Sequence, residues 1–98
     1  MKARFAHCNI NVTDLDRSVS FYAKALGLAE LRRHRAADGA FELVFLGDGQ
    51  SGFTLEMTWL RGHPQAYALG ENESHICFAV PDYEAAHRLH AVMGCICY

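Results

Sequence analysis

Three residues in this chain combine the right side chains for metal chemistry: His7, Glu56 and His75. Each falls in the middle of an alternating, strand-like stretch, with small or polar neighbours on its own face: Asn9 and Asn11 beside His7, Thr54 and Thr58 beside Glu56, Cys77 and Ala79 beside His75. A carboxylate on a sheet face needs a cation or hydrogen bonds, and two imidazoles facing it would complete a donor set for a divalent transition ion. Taken singly, each histidine also reads as a hydrogen-bonded strand residue. The repeat sets them apart. Glu73 to Asp82 repeats the pattern around His7, so that His75 matches His7, Val80 matches Val12 and Asp82 matches Asp14.

The elements that must position these residues follow from periodicity. From Arg4 to Val12, Cys8, Ile10 and Val12 point one way while His7, Asn9 and Asn11 point the other. Thr13 or Asp14 caps a helix in which Leu15, Val19, Phe21, Tyr22 and Leu26 recur until Gly27 ends it. This helix is expected over the apolar face of the first strand. Leu28 to Arg35 predicts a second strand, Asp38-Gly39 a turn, Phe41 to Leu46 a third strand, 47–52 a loop and Phe53 to Trp59 a fourth. In the fourth, Phe53, Leu55, Met57 and Trp59 share one face and leave Glu56 on the other, the side of His7 if the sheet curls.

Residues 61–72, with Gly62, Pro64 and Gly70, read as a connection, after which a strand at 73–81, a helix marked by Tyr83, Ala86, Leu89, Val92 and Met93, and a strand start at Cys95-Ile96-Cys97-Tyr98 follow. The expected class is α+β: paired βαβββ modules within one domain of residues 1–98, module one at about 4–60 and an incomplete module two, only a βαβ start, at about 73–98. A full second copy would add roughly thirty residues. The expectation is therefore a truncated protein rather than a complete small one.

Composition narrows the function classes. Half of the residues are apolar, 51%, and the net charge is only -2, a globular profile that argues against a nucleic-acid partner. No apolar run is long enough to span a bilayer and the N-terminus lacks an export signal, so no membrane role and a cytoplasmic location are expected. Cys8, Cys77, Cys95 and Cys97 are accordingly read as reduced thiols. A chain this small gains from a second copy, and a homodimer through exposed sheet edges is expected. The Arg32, Arg33, Arg35 run reads as a solvated edge face that could also supply charge, and His34, His63, His87 and His90 read as exposed or structural.

On specific motifs the chain resembles glyoxalase I (lactoylglutathione lyase) of the vicinal oxygen chelate superfamily. The likeness is carried by His7, by Asp14-Leu15-Asp16-Arg17-Ser18-Val19-Ser20-Phe21-Tyr22 with Leu26-Gly27-Leu28, by Leu55-Glu56-Met57-Thr58, by Tyr67-x-Leu69-Gly70 and by His75-Ile76-x-Phe78-x-Val80. The ligand order His, Glu, His is that of glyoxalases. Ring-cleaving dioxygenases read His, His, Glu, and methylmalonyl-CoA epimerases place Gln where Glu56 stands.

The resemblance implies a metal-dependent lyase that isomerises the hemithioacetal of methylglyoxal and a thiol, glutathione or a similar one, to a lactoyl thioester. It implies His7, Glu56 and His75 as ligands, Glu56 also as catalytic base, and nickel or cobalt as favoured metals, with zinc as the alternative. Asn11, Trp59 and Arg61 are the expected substrate contacts. Two positions depart from the family: its arginine four residues after the first ligand is Asn11 here, and the asparagine four after the glutamate is Leu60. The family's last ligand, a glutamate in a D-P-x-G-x-x-x-E segment, has no counterpart in these residues, which leaves water, Cys77, His63 or a second chain to complete the site. The alternatives are a non-catalytic small-molecule binder of the bleomycin-resistance type and an epimerase of a CoA thioester.

Overall fold

Alternation makes β1 (His7–Asn11) and β4 (Thr54–Leu60) two-faced strands, and they pair in parallel with Cys8 opposite Leu55 and Ile10 opposite Met57. A parallel neighbour cannot be reached by a tight turn, so the chain must leave the sheet and return. It does so through α1 (Leu15–Leu26), β2 (Ala29–Arg35) and β3 (Phe41–Gly47), giving a four-stranded sheet in the order β1-β4-β3-β2. β3 is antiparallel to both of its neighbours, which leaves β1 and β2 as the sheet edges.

This description comes from a computed structural model in which residues 1–97 are described; they form two compact units, Met1–Tyr67 and Ala68–Tyr98. The first unit contains the whole sheet and α1. Leu15 and Leu28 meet Val44, Leu46, Leu55 and Met57 in its core, where Val44 and Met57 are completely buried. Cys8, Ile10, Val12, Val19, Tyr22, Leu26 and Trp59 pack around that cluster, and burial, helped by the nearby Cys8, pushes the Tyr22 phenol up from its ordinary value.

Both ends of α1 follow from the sequence. The Asp14 carboxylate accepts from the Arg17 N–H at 3.1 Å, and Gly27, at φ 67°, turns its own N–H back to the Ala23 carbonyl at 3.0 Å. The second unit contains α2 (Tyr83–Met93), capped the same way by Asp82, which accepts from the Ala85 N–H at 3.0 Å, and by Gly94. None of the described helices is long and apolar enough to cross a membrane.

Two expectations differ from the structure. Residues 73–81 form no strand, and neither do 95–97; Tyr98 lies outside the described residues. Alternation makes a segment able to pair but supplies no partner, and within the second unit α2 is the only regular element among the described residues. The other difference is inside β2, where a bulge lets Glu30 oppose Leu46 and Arg32 oppose Phe45, leaving Leu31 as the additional residue. Everything after Leu31 is thereby shifted to the other face of the strand.

That shift divides the arginine run. Arg33 and Arg35 sit on the helix side with Glu42, and Arg33 binds three carboxylates: Asp16 of α1 at 3.1 Å, Glu42 of β3 at 2.9 Å and Glu30 at 2.8 Å. Those hydrogen bonds to Glu30 and Glu42, more than the one to Asp16, hold the guanidinium more firmly protonated than usual. It acts as a strut between the edge strand, its neighbour and the helix.

Candidate functional site

The sheet face away from α1 carries the polar residues, set in rows by the strand register. One row runs Asn9, Glu56, Phe45, Arg32 across all four strands; the next runs Asn11, Thr58, Leu43, His34. On the opposite flank His7 is level with Thr54 and Gly47. His7 and Glu56 therefore share one face of one sheet, as their alternation requires.

The Glu56 carboxylate is half-buried and held from one side. With its amide nitrogen turned toward β4, the orientation that satisfies its neighbours, Asn9 donates to Glu56 Oε1 at 3.0 Å and to Thr58 Oγ1 at 2.6 Å. Asn11 continues the polar line, its amide 2.9 Å from that of Asn9. The His7 ring stands edge-on to Phe45, centroids 5.5 Å apart, and the Arg32 guanidinium lies 4.0 Å from the centroid of the same ring. A recess of about 460 Å³ is lined by Glu56, Phe45, Leu43, His34, Arg33 and Arg32. A smaller one, about 290 Å³, is lined by His7, Phe45, Thr54, Leu31 and Arg4.

The other expected site residues fall elsewhere. Trp59 packs with the core on the α1 side, because a residue three positions from Glu56 on a regular strand faces the opposite way. Arg61 donates to the Asp38 carbonyl at 2.8 Å and so pins the β2–β3 turn. His75 belongs to the second unit, where it is exposed. Within the first unit and among the described residues, no third histidine, cysteine, aspartate or glutamate joins His7 and Glu56 in a metal-sized cluster. His63 stacks on Tyr67, ring centroids 3.8 Å apart, with its Nδ1 and the Tyr67 hydroxyl buried and unpartnered among the described residues.

The donor set nevertheless fits a metal: an imidazole and a hydrogen-bonded carboxylate, one face, open to solvent on one side, are donors that zinc, nickel and cobalt accept. The sequence does not single out Asn9 or Phe45 as site residues, and it marks Arg32 only as part of a run that could supply charge. Asn9 was marked only as the polar neighbour of His7, and the signal for Phe45 and Arg32 lay in a register that strand pairing alone defines.

Comparison with known proteins places this arrangement. The sequence pattern of the Glyoxalase/Bleomycin resistance protein/Dioxygenase superfamily matches residues 4–94, and the chain belongs to that superfamily. Within it, the chain is 31% identical over 96 residues to the probable lactoylglutathione lyase of Vibrio cholerae, which covers 95% of this chain and 69% of that protein. It is 36% identical over 91 residues to the lactoylglutathione lyase of Neisseria meningitidis, covering 88% of this chain and 64% of the relative. The solved glyoxalase I of Leishmania major, described as trypanothione-dependent, superposes with a TM-score of 0.82 at 32% identity over 95% of this chain and 68% of that one. The chain thus spans about two thirds of the length of these relatives.

Proposed function

We propose that this chain carries the metal site of a glyoxalase I-like lyase, acting on the hemithioacetal of methylglyoxal and a thiol, with His7, Glu56 and His75 as protein ligands. The observation that supports it most is that Glu56, the residue distinguishing glyoxalases from epimerases in the expected motif, lies on the open face of the sheet with His7, its carboxylate positioned by Asn9. The similarity to proteins named lactoylglutathione lyase agrees with it.

The reaction moves a proton between two adjacent carbons, one of them next to a carbonyl. When bound, a divalent ion supplies Lewis acidity that stabilises negative charge on the substrate oxygens. Glu56, a carboxylate lining the recess, is the group assigned to take a proton and return it, and the Asn9 amide holds one of its oxygens. His7 is kept in place by the edge of Phe45. Phe45 and Leu43 form an apolar floor that keeps water from one side of the substrate. Nickel or cobalt is the proposed metal, and the working form a homodimer built on the β1 or β2 edge in the cytoplasm.

The test is to add nickel, cobalt or zinc to metal-free protein and follow metal uptake by calorimetry and thioester formation from methylglyoxal and glutathione by absorbance. Binding of one ion per chain at micromolar affinity or better, with turnover, is expected. Failure to bind any of the three metals at that affinity refutes the reading. Binding without turnover assigns the face to ligand capture rather than to lyase chemistry.

A further inference from the structure

We infer that Arg32 is a specificity-determining residue, the anchor for a carboxylate carried by the substrate. The inference rests on the metal-site reading of the same face and adds to it the charge that the substrate must bear.

Four observations converge on Arg32. The bulge at Leu31 turns it to the open face, while Arg33, next in sequence, faces the helix. Arg33 and Arg35 are engaged by carboxylates, whereas no carboxylate lies within ion-pair distance of Arg32 among the described residues. The guanidinium is nevertheless not loose: it rests 4.0 Å from the Phe45 centroid, which orders the long side chain and leaves its N–H edge available. Arg32 also shares a recess with Glu56, in the same row of the sheet and two strands away, roughly 10 Å by strand spacing.

That spacing matters. A carboxylate gripped by Arg32 would belong to a substituent several bonds from the carbon that Glu56 addresses, with the Phe45 ring between the two. His34, one row along and lining the same recess, adds a donor on the same side. The bulge is built into the packing as well: a Cβ on Gly47 would come within 2.6 Å of Leu31 Cδ1, so Gly47 leaves the notch that Leu31 fills. Arg32 reaches the recess from the β2 edge of the sheet.

The carboxylate has two chemical sources, the thiol half of the hemithioacetal or an aldehyde half that is a carboxylated 2-oxoaldehyde in place of methylglyoxal, and three non-reacting probes separate them. S-methylglutathione carries carboxylates on the thiol half only. The dimethyl ester of S-carboxymethylglutathione carries one on the sulfur substituent only, and the dimethyl ester of S-methylglutathione carries none. Each is titrated calorimetrically into nickel-loaded wild-type protein, Arg32→Met and Arg32→Lys, with thermal melts as the check on folding.

The expected result is about a tenfold loss of affinity in Arg32→Met for one carboxylate-bearing probe, most of it recovered in Arg32→Lys, and no loss for the carboxylate-free probe. Which charged probe responds identifies the source. Equal affinities of wild type and Arg32→Met for all three overturn the inference and leave the metal-site reading standing. An equal loss for all three, the carboxylate-free one included, also overturns it, because it assigns Arg32 to packing. If wild-type protein binds nickel but none of the probes, both this inference and the lyase reading fail, whereas the metal site survives.

Discussion

The two faces of the sheet are made from the same strands yet obey different rules. Toward α1, every position of β3 and β4 from Val44 to Met57 that faces the helix is filled by an apolar side chain, and the core closes with Val44 and Met57 fully buried. Toward solvent, carboxylate, imidazole, amide, hydroxyl and guanidinium groups lie in register around Phe45. Neighbouring residues such as Glu56 and Met57 thus belong to separate tasks. Stability is concentrated on one side of a sheet one residue thick, which leaves the other side free to be polar.

Breaking that separation gives the largest predicted effect. Met57→Ala removes a completely buried side chain and is expected to cost about 2–5 kcal/mol in urea unfolding, whereas Thr58→Ala, one residue on and facing the site, is expected to stay within about 1 kcal/mol. Equal costs would mean that the open face also carries the fold. Glu56→Gln tests the polar side by itself: metal affinity is expected to fall at least about tenfold at neutral pH, by calorimetry, with the metal-free melting temperature unchanged. An unchanged affinity would reduce Glu56 to a strand residue.

The two adjacent arginines offer a sharper contrast. Arg33→Met strips Asp16 and Glu30 of their cation and leaves Glu42 only Arg35, and, since Asp16 is largely exposed, a loss of about 1–2 kcal/mol is expected; Arg32→Met is expected to cost less than about 0.5 kcal/mol. The smallest effect concerns the loop that returns β3 to β4. There the Asp48 carboxylate accepts from the backbone N–H groups of Ser51 and Gln50, both at 2.8 Å, and from the Ser51 hydroxyl, which lowers its pKa. Because the folded-state value is the lower one, the contribution is complete above the ordinary carboxylate value of 3.8 and disappears as pH falls through the depressed value. Asp48→Ala should therefore lower the melting temperature slightly at pH 7, and the difference should vanish on acidification.

Much of this was legible in the sequence because it is local. Period-two alternation assigns His7 and Glu56 to a face opposite Ile10 and Met57; Thr13 or Asp14 with Gly27 brackets the first helix, whose cap is Asp14, and Asp82 with Gly94 brackets the second. The same alternation places Trp59 in the core; its size suggested a pocket wall, but parity decides. What could not be read depends on partners distant in sequence. The parallel pairing of β1 with β4 aligns Asn9 with Glu56, and nothing in either segment alone encodes that register. The strand expected around His75 has the right alternation, yet a ladder is a property of two segments. The bulge at Leu31 leaves no mark in composition, since Leu-Arg-Arg-His-Arg alternates poorly in either setting.

That single additional residue acts as a frameshift in the geometry of the strand. Were the strand to run regularly through Leu31, with Leu31 itself opposite Phe45, Arg33 and Arg35 would turn to the open face and Arg32 and His34 to the helix, with no change in residue type. Which arginines this edge strand presents on each face is thus set by where its register shifts as much as by residue type, a lever that point substitution around Glu56 does not offer.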